Sequence, residues 1–221
     1  MFAKRISDIV ASSLLVVLTL PVMALVAILI RLESPGPAIF RQKRVGMNRR
    51  RGNGYGVRGD HKTIDRRNGN LGGRPFTMYK FRSMVKEAEA MLPCLVDLGA
   101  LSEPVFKLDN DPRVTRVGKI LRKTSLDELP QLFNILKGDM TLVGPRPEVM
   151  NVVGLYGEEH KRRLQVKPGL TGLQQISCRG TRSMQERLKY DLHYIKHRSL
   201  LFDAKILLKT VFVVLAGTGT H

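Results

Sequence analysis

Residues 9–30 read IVASSLLVVLTLPVMALVAILI, and this uncharged, almost wholly apolar run decides what kind of protein the chain is. About twenty such residues match the hydrocarbon thickness of a bilayer, whereas the apolar core of a signal peptide is shorter. No small-residue cleavage site follows, because the chain continues as Arg31-Leu32-Glu33-Ser34-Pro35. The run therefore predicts a helix that stays attached to the chain and anchors it in a membrane.

Two features of this anchor argue against a straight crossing of the bilayer. Pro21 lies near its centre, where a proline removes one backbone hydrogen bond and bends a helix. Lys4 and Arg5 precede the run and Arg31 follows it, and positive charge prefers the cytoplasm at both ends. We therefore predict that residues 1–33 form a re-entrant anchor, broken at Pro21, that enters one leaflet and returns. A kinked full span with a very short outer tail is the alternative.

The chain is strongly basic, with 37 Lys and Arg against 19 Asp and Glu and a net charge of +18. Such a charge predicts an anionic partner: nucleic acid, an acidic membrane surface or a phosphorylated substrate. Residues 41–74 hold eleven Lys or Arg and two acids, interrupted by many Gly and Asn. This stretch cannot bury much apolar surface, so we predict a basic loop at 48–74 that lies on anionic headgroups.

The rest of the chain predicts short elements, most of them helical. Residues 76–81 alternate like a strand, and residues 199–215 are apolar but carry three charges, which favours an interfacial or core helix over a second span. The expected fold class is mainly α with a few short strands (α+β), in which residues 34–221 form one domain. Helical spacing is also present in the segments 85–98, 114–123, 126–137 and 184–197.

The first candidate site is the pair of adjacent acids Asp127 and Glu128. Ser125 and Glu128 have the spacing of a capping box, which would give the acids a purely structural role at the start of a helix. Alternatively, one carboxylate is a nucleophile toward a phosphoryl group, or a metal ligand, and its neighbour supports it. Arg122, just upstream, adds positive charge that suits a phosphate.

The second candidate is Arg146, which stands between Pro145 and Pro147. Two prolines hold the backbone extended, so the guanidinium is already placed for bidentate binding of phosphate or carboxylate. A plain polar turn is the alternative. Two further features have simpler interpretations: residues 167–172 (KPGLTG) predict a tight turn, and Asp191 predicts a solvated carboxylate on an amphipathic helix.

Taken together, these segments resemble the bacterial sugar transferase family, the small monotopic polyprenyl-phosphate phosphoglycosyl transferases. The resemblance covers nearly the whole chain apart from residues 48–74, and the motifs are specific in combination. Family members often carry Ser before the anchor proline, whereas this chain has Leu20, and Thr19 is then the nearest hydroxyl to the break. The matching segments are residues 4–8, 34–42, 79–84, 111–115, 126–131, 138–140, 143–148 and 167–172, together with Asp191 and Tyr194.

The resemblance implies transfer of a sugar-1-phosphate from a nucleotide sugar, expected to be a UDP-sugar, to polyprenyl (undecaprenyl) phosphate. This reaction releases a nucleoside monophosphate and starts exopolysaccharide, O-antigen or glycoconjugate assembly. Asp127 matches the aspartate that attacks the β-phosphate and carries the phosphosugar covalently, and Glu128 matches its partner acid. Mg²⁺ near Asp127 and Glu128 would neutralise the phosphates. The positions that match substrate-binding residues are Lys80, Arg122, Arg146 and Asp191.

The same resemblance implies a monotopic protein of the bacterial inner (cytoplasmic) membrane, with the catalytic domain on the cytoplasmic face and interfacial amphipathic helices. The nucleotide sugar, the polyprenyl phosphate and the anionic lipid headgroups are all negatively charged, in keeping with the basic composition. No nucleic acid is expected, since the chain has no Trp and no zinc-finger pattern. A non-catalytic membrane scaffold is the other rival, and the presence of Asp127, Glu128 and Arg146 counts against it. The sugar, the base and the oligomeric state, including a homodimer, are left open.

Overall fold

A computed structural model of the chain describes residues 2–48, 72–96, 108, 110–178 and 183–216. Within these ranges helices predominate and the strands are short, as the α+β prediction required. The helices are α1 (Phe2–Glu33), α2 (Leu92–Leu95), α3 (Arg116–Thr124), α4 (Gln131–Lys137), α5 (Met150–Gly154), α6 (Glu158–Lys161), α7 (Leu173–Ser177), α8 (Met184–His197) and α9 (Leu200–Leu215).

Two small sheets position the loops between the helices. One is antiparallel and has the order β2-β1-β4, and in it Ile39 pairs with Phe81 and Val45 with Pro75. The other is a parallel pair, β3 with β5, in which Thr141 lies opposite Gly169. The strands are β1 (Ile39–Val45), β2 (Pro75–Phe81), β3 (Thr141–Val143), β4 (Glu148–Val149) and β5 (Gly169–Thr171).

The anchor, α1, is the one helix of the described residues that is long and apolar enough to cross a membrane. It continues through Pro21 as a single helix, so the predicted break does not interrupt the helix; one missing hydrogen bond can be absorbed within a helix. The Thr19 hydroxyl donates to the Leu15 carbonyl at 2.7 Å and not to that of Val17, the carbonyl that Pro21 leaves without its helical donor.

Only one stripe of α1 is buried, and the other faces carry exposed apolar side chains. The stripe continues past Pro21 and packs on the domain over the length of the helix. An apolar helix exposed on several faces is stable where lipid covers it, which agrees with an anchor that lies in the membrane against its own domain. The buried residues of the stripe are Asp8, Ser12, Met23, Val26 and Ile30.

Both ends of α1 are held by the same domain. At the start, the Arg5 guanidinium donates to the carbonyls of Ile135 and Leu136, the last turn of α4, at 2.5 and 2.8 Å. At the end, the buried Arg82 donates to the Ser34 carbonyl at 2.7 Å, and the Glu33 carboxylate accepts the Val117 N–H at 3.1 Å. The first and last turns of the anchor therefore lie against one body of protein.

Two of the helical predictions need correction, and a third is confirmed. Within residues 85–96, the described part of the segment 85–98, the helix is confined to Leu92–Leu95, since Pro93 is tolerated in a first turn but not deeper in a helix. The segment 126–137 begins with a 3₁₀ turn, Leu126–Glu128, and the α-helix starts only after Pro130. The prediction for 199–215 is confirmed as a helix, α9.

The basic loop lies on the connection between β1 and β2, and residues 49–71 of it fall outside the described part of the chain. Its ends are close together, because the Gly46 N–H donates to the Arg74 carbonyl at 2.9 Å. The loop therefore leaves the hairpin at the end opposite Lys80. Pro75, at this end of β2, lies roughly 17 Å from Lys80 along the strand, at about 3.3 Å per residue. Its proposed contact with headgroups stays a prediction.

Candidate active site

The two adjacent acids occupy a sharp reversal of the chain. Helix α3 ends at Thr124, Ser125 takes a left-handed conformation with φ of 58°, and the 3₁₀ turn that follows carries Asp127 and Glu128. The Ser125 side chain makes no N-cap hydrogen bond, so the capping-box interpretation is wrong. The capping box does not form because the Glu128 carboxylate has stronger, charged partners elsewhere in the fold.

Those partners come from two other segments. Lys80, on β2, lies 2.7 Å from Glu128 Oε1 and 3.5 Å from Asp127 Oδ2. Arg146 places its Nη2 at 2.9 Å from the same Glu128 oxygen. Four of the predicted site residues, from three separate segments of the chain, thus form one cluster. In it Glu128 contacts both cations, and Asp127 lies near Lys80.

The two acids differ in their electrostatics although they are neighbours. Burial raises the pKa of Asp127 above its ordinary value, against the opposing pull of Lys80. Burial alone would do the same to Glu128, but Arg146 and Lys80 together hold its pKa well below the usual range. Glu128 is therefore a fixed anion that holds the cations in place, and Asp127 is the higher-energy carboxylate of the pair.

The Arg146 loop is held against the 167–172 segment, to which the sequence assigned only a turn. The Gly144 N–H donates to the Thr171 carbonyl and the Gly169 N–H donates to the Pro145 carbonyl, both at 2.9 Å. The backbones approach so closely that a Cβ on Gly169 would lie 2.1 Å from the Gly144 nitrogen. The glycines of both motifs thus permit the contact that sets the position of Arg146.

Two arginines that the sequence did not single out complete the support of this loop. Arg44 donates to the Pro147 carbonyl at 3.1 Å, and Arg163 donates to the Arg146 carbonyl at 3.4 Å. Arg44 lies on β1 and Arg163 on a short 3₁₀ turn at Arg162–Gln165. No local pattern marks either residue, because each acts on a segment far away in sequence.

Asp191 is not brought to the acidic pair. It is almost fully buried on α8, so the interpretation as a surface carboxylate is wrong, and its Oδ2 lies 2.7 Å from Arg163 Nε. Burial raises the pKa of Asp191 to about 6, although Arg163 opposes the shift. Asp191 therefore fixes the arginine that holds the Arg146 loop. Direct contact of Asp191 with substrate stays a prediction.

Arg122 reaches the same site from α3. Its Nε donates to the Ser83 hydroxyl at 2.9 Å, and its charge acts on Asp127 in the same sense as that of Lys80. A cavity of about 2380 Å³ opens in front of this cluster. Its lining includes all of the predicted site residues other than Asp191: Lys80, Arg122, Asp127, Glu128 and Arg146. A cavity of this size and charge suits a large anion with more than one phosphate.

A metal ion would find two protein ligands here. Among the residues that the structure describes, no group of three or more His, Cys, Asp or Glu side chains could hold a metal. Mg²⁺ commonly takes one or two carboxylates and completes its shell with water and substrate phosphates. Asp127 and Glu128 provide such a pair, although one Glu128 oxygen is already shared by Lys80 and Arg146. The donor set fits a magnesium ion whose remaining ligands come from phosphate and water.

Known proteins are similar in sequence to this chain over nearly its full length. The family model for bacterial sugar transferases matches residues 1–59 and 56–217. The galactosyl transferase CpsE of Streptococcus agalactiae is 42% identical over 99% of the chain and 43% of that relative. The undecaprenyl-phosphate galactose phosphotransferase of Salmonella typhimurium is 40% identical over 100% of the chain and 42% of that relative.

A third relative is named for a different sugar. The UDP-glucose:undecaprenyl-phosphate glucose-1-phosphate transferase of Escherichia coli is 39% identical over 95% of the chain and 39% of its own length. The chain therefore spans less than half the length of these relatives. Their names differ between galactose and glucose at almost the same identity, so overall similarity does not select a sugar.

Proposed function

The chain belongs to the bacterial sugar transferase family, and we propose from this premise that it transfers a sugar-1-phosphate from a nucleotide sugar to a polyprenyl phosphate. Undecaprenyl phosphate, which the names of the Salmonella typhimurium and Escherichia coli relatives both contain, is the proposed acceptor, and a UDP-sugar, which the Escherichia coli name contains, is the proposed donor. The product would start the assembly of a polysaccharide or other glycoconjugate.

The observation that carries the proposal is the unequal pair of acids. Glu128 is neutralised by Lys80 and Arg146, whereas Asp127 is buried, lies in the same cavity and has a raised pKa. A carboxylate that its surroundings stabilise poorly gains by forming a bond to phosphorus, in which its charge is shared. The cations around it are placed to receive the charge of a diphosphate.

The proposed reaction has two steps. A carboxylate oxygen of Asp127 attacks the β-phosphorus, and the bond from that phosphorus to the bridging oxygen breaks, so that the nucleoside monophosphate leaves with the bond electrons. An oxygen of the polyprenyl phosphate then attacks the phosphorus of the acyl phosphate and displaces the Asp127 carboxylate. The product is a polyprenyl diphosphate sugar, and the enzyme returns to its starting state.

The side chains around Asp127 have separate roles in these steps. Lys80 and Arg146, fixed by Glu128, would bind the equatorial oxygens of the transferred phosphate. Arg122, at the α3 side of the cavity, would contact the second phosphate. Magnesium held by Asp127 and Glu128 would supply further neutralisation of the diphosphate when bound.

The proposed location is the bacterial inner membrane, with the catalytic domain and both ends of the anchor on the cytoplasmic side. The support comes from the contacts of α1: Arg5 in its first turn and Glu33 in its last are both bonded to the domain. A straight span would carry the first turn across the bilayer, away from Ile135 and Leu136. An anchor that keeps both of its ends on one side of the membrane is compatible with both sets of contacts.

A donor panel tests the proposal. Purified protein in lipid vesicles is given magnesium and single nucleotide sugars, and nucleoside monophosphate is measured without and with undecaprenyl phosphate. We expect one donor to release about one equivalent per enzyme without acceptor and many equivalents with it. The mass of the peptide that contains Asp127 should rise by one phosphosugar in the first case.

Three outcomes would each contradict a part of the proposal. Absence of monophosphate release with every UDP-sugar would remove the assigned donor class. Full activity in excess chelator would remove magnesium from the scheme. Release that requires both substrates at once, with no labelled peptide, would replace the covalent intermediate by direct transfer.

A further inference from the structure

The cavity in front of Asp127 has a second, apolar side. Away from the cations, part of its lining comes from the anchor α1 and from α9, two helices far apart in sequence, with contributions from β3 and β5. The apolar lining residues on this side include Leu14, Leu15, Leu142, Leu170, Leu207 and Val211. One continuous cavity thus joins a phosphate-binding end to a hydrocarbon surface.

A nucleotide sugar does not account for the apolar side, because it is polar along its whole length. A ligand that matches both sides carries a phosphate on a hydrocarbon chain. One polar pair within the wall is satisfied internally, because the hydroxyls of Thr171 and Thr210 lie 2.8 Å apart. Gln174, Gln175 and Arg187 also reach the cavity, so the apolar wall is confined to part of it.

The apolar wall is continuous with the surfaces that the anchor and α9 expose. Leu14 on α1 is 59% exposed and Val211 on α9 is 56% exposed, yet both line the cavity. Leu18 and Leu208, about one turn away from them on the same two helices, are exposed and apolar as well. A hydrocarbon chain can therefore pass from the bilayer to the cavity along apolar side chains.

We infer that the polyprenyl tail of the acceptor lies along the wall between α1 and α9, with its phosphate toward Lys80 and Arg146. The inference rests on the proposed function, since it takes a polyprenyl phosphate as the acceptor. It assigns the anchor a second role: α1 holds the protein in the membrane and also forms one side of the lipid-binding groove.

Matched leucine and valine variants test the groove. Leu14→Gln and Val211→Gln place a polar group in the wall at positions that are too exposed to be needed for the core. Val17→Gln and Leu201→Gln are the controls, because these residues lie on the same helices at 70% and 68% exposure but do not line the cavity. Binding of all four to vesicles is measured first, so that activities are compared per membrane-bound molecule.

Two acceptors separate the tail from the phosphate. Undecaprenyl phosphate and the much shorter geranyl phosphate are each titrated against every variant, at saturating donor. We expect the two groove variants to raise KM for undecaprenyl phosphate roughly five- to tenfold, the effect of losing one buried aliphatic contact, and to change KM for geranyl phosphate less. The two controls should leave both values within about twofold.

The donor half of the reaction distinguishes failure of the groove from failure of the proposed function. Release of nucleoside monophosphate without acceptor should be the same in all four variants and the wild type. Equal KM changes in groove and control variants would overturn the groove, because the effect would then come from membrane insertion alone. Unchanged KM in the groove variants would overturn it as well. Loss of donor cleavage in the wild type would instead refute the proposed function.

Discussion

Two pairs of acids, one at the anchor and one at the cavity, differ in the contacts that their surroundings provide. In the first set, at the anchor, protein donors surround each carboxylate. Asp8 on α1 accepts the Thr141 hydroxyl at 2.7 Å and the Leu142 N–H at 3.1 Å. Asp203 on α9 accepts the Tyr194 hydroxyl at 2.8 Å and forms an ion pair with Lys4.

In the second set, at the cavity, the two carboxylates share their cations unequally. Lys80 and Arg146 both contact Glu128, whereas the one ion pair of Asp127 among the described residues is the longer contact with Lys80, at 3.5 Å. Asp127 is therefore buried with few compensating contacts, and it lines the cavity. The comparison leads us to expect that the acids of the first set stabilise the fold, and that Asp127, with little compensation at the cavity, serves the proposed reaction.

The largest expected effect is on activity at Asp127. Asp127→Asn keeps the shape of the side chain but cannot form an acyl phosphate, so turnover should fall at least about a thousandfold. The free energy of unfolding should stay the same or increase slightly, because a poorly compensated buried charge is removed. Monophosphate release and thermal unfolding check the two halves of this prediction. Retention of more than about a tenth of wild-type turnover would remove Asp127 from the nucleophile role.

Glu128→Gln should impair the reaction severely but less completely. The amide cannot neutralise Lys80 and Arg146, so the two cations lose their common position, and a loss of roughly a hundredfold in kcat is expected. The control is Glu158→Gln, whose carboxylate pairs with Lys161 on an exposed helix away from the cavity. Equal activity in both variants would show that Glu128 has no part in the site.

At the anchor the expected pattern is reversed. Asp203→Asn leaves Lys4 without its counter-charge, and Asp8→Asn leaves one of two buried donors without an acceptor. Each should lower the free energy of unfolding by about 1–3 kcal/mol and change turnover per folded molecule only a few-fold. Chemical denaturation in detergent measures the first quantity. Lys205→Met, an exposed change on the same helix as Asp203, is the matched control. Variants as stable as the control would remove the distinction between the two sets.

These two sets were not equally accessible to sequence reasoning. The resemblance to a known family predicts that Asp127, Glu128 and Arg146 share one site, because each lies in a compact motif, whereas the ion pair of Arg146 with Glu128 is seen only in the structure. Lys4 was interpreted only as a topology signal, since a charge before an apolar run is ordinarily solvated. Its ion pair with Asp203 is a tertiary contact across 199 residues of sequence, which no local pattern encodes.

The capping box at Ser125 failed for a related reason. Local spacing favoured a bond from Glu128 to the start of its own helix, but two distant cations offer stronger charged contacts. Asp191 shows the converse: amphipathic spacing predicted a solvated face, and the buried partner Arg163 comes from another segment. Sequence reasoning therefore located the reactive motifs, while the supporting residues required the fold.

The raised pKa of Asp127 predicts how activity depends on pH. A nucleophilic carboxylate must be ionised, so kcat/KM should fall on the acid side with a midpoint above the ordinary value of about 3.9. An acid whose pKa is higher in the folded than in the unfolded protein contributes most to stability when the pH is below its unfolded-state pKa. This contribution is lost as the pH rises through its folded-state pKa. Acidification across this window should thus reduce activity while the Asp127 contribution to stability increases. Full activity down to pH 4 would contradict the raised pKa.

The smallest expected effect concerns the anchor itself. A single cysteine at Ala3, with Cys94 and Cys178 replaced by Ser, should resist impermeant thiol reagents applied outside sealed cells, because Lys4 and Arg5 hold the first turn against the domain. Pro21→Ala straightens the preferred path of α1 and should expose a minor fraction of molecules. Adding Asp203→Asn removes one of the contacts that oppose this change, so labelling should increase further. Strong labelling of the otherwise unchanged protein would show that α1 spans the bilayer. Equal labelling in all three variants would show that neither Pro21 nor the Lys4–Asp203 pair sets the path of the anchor.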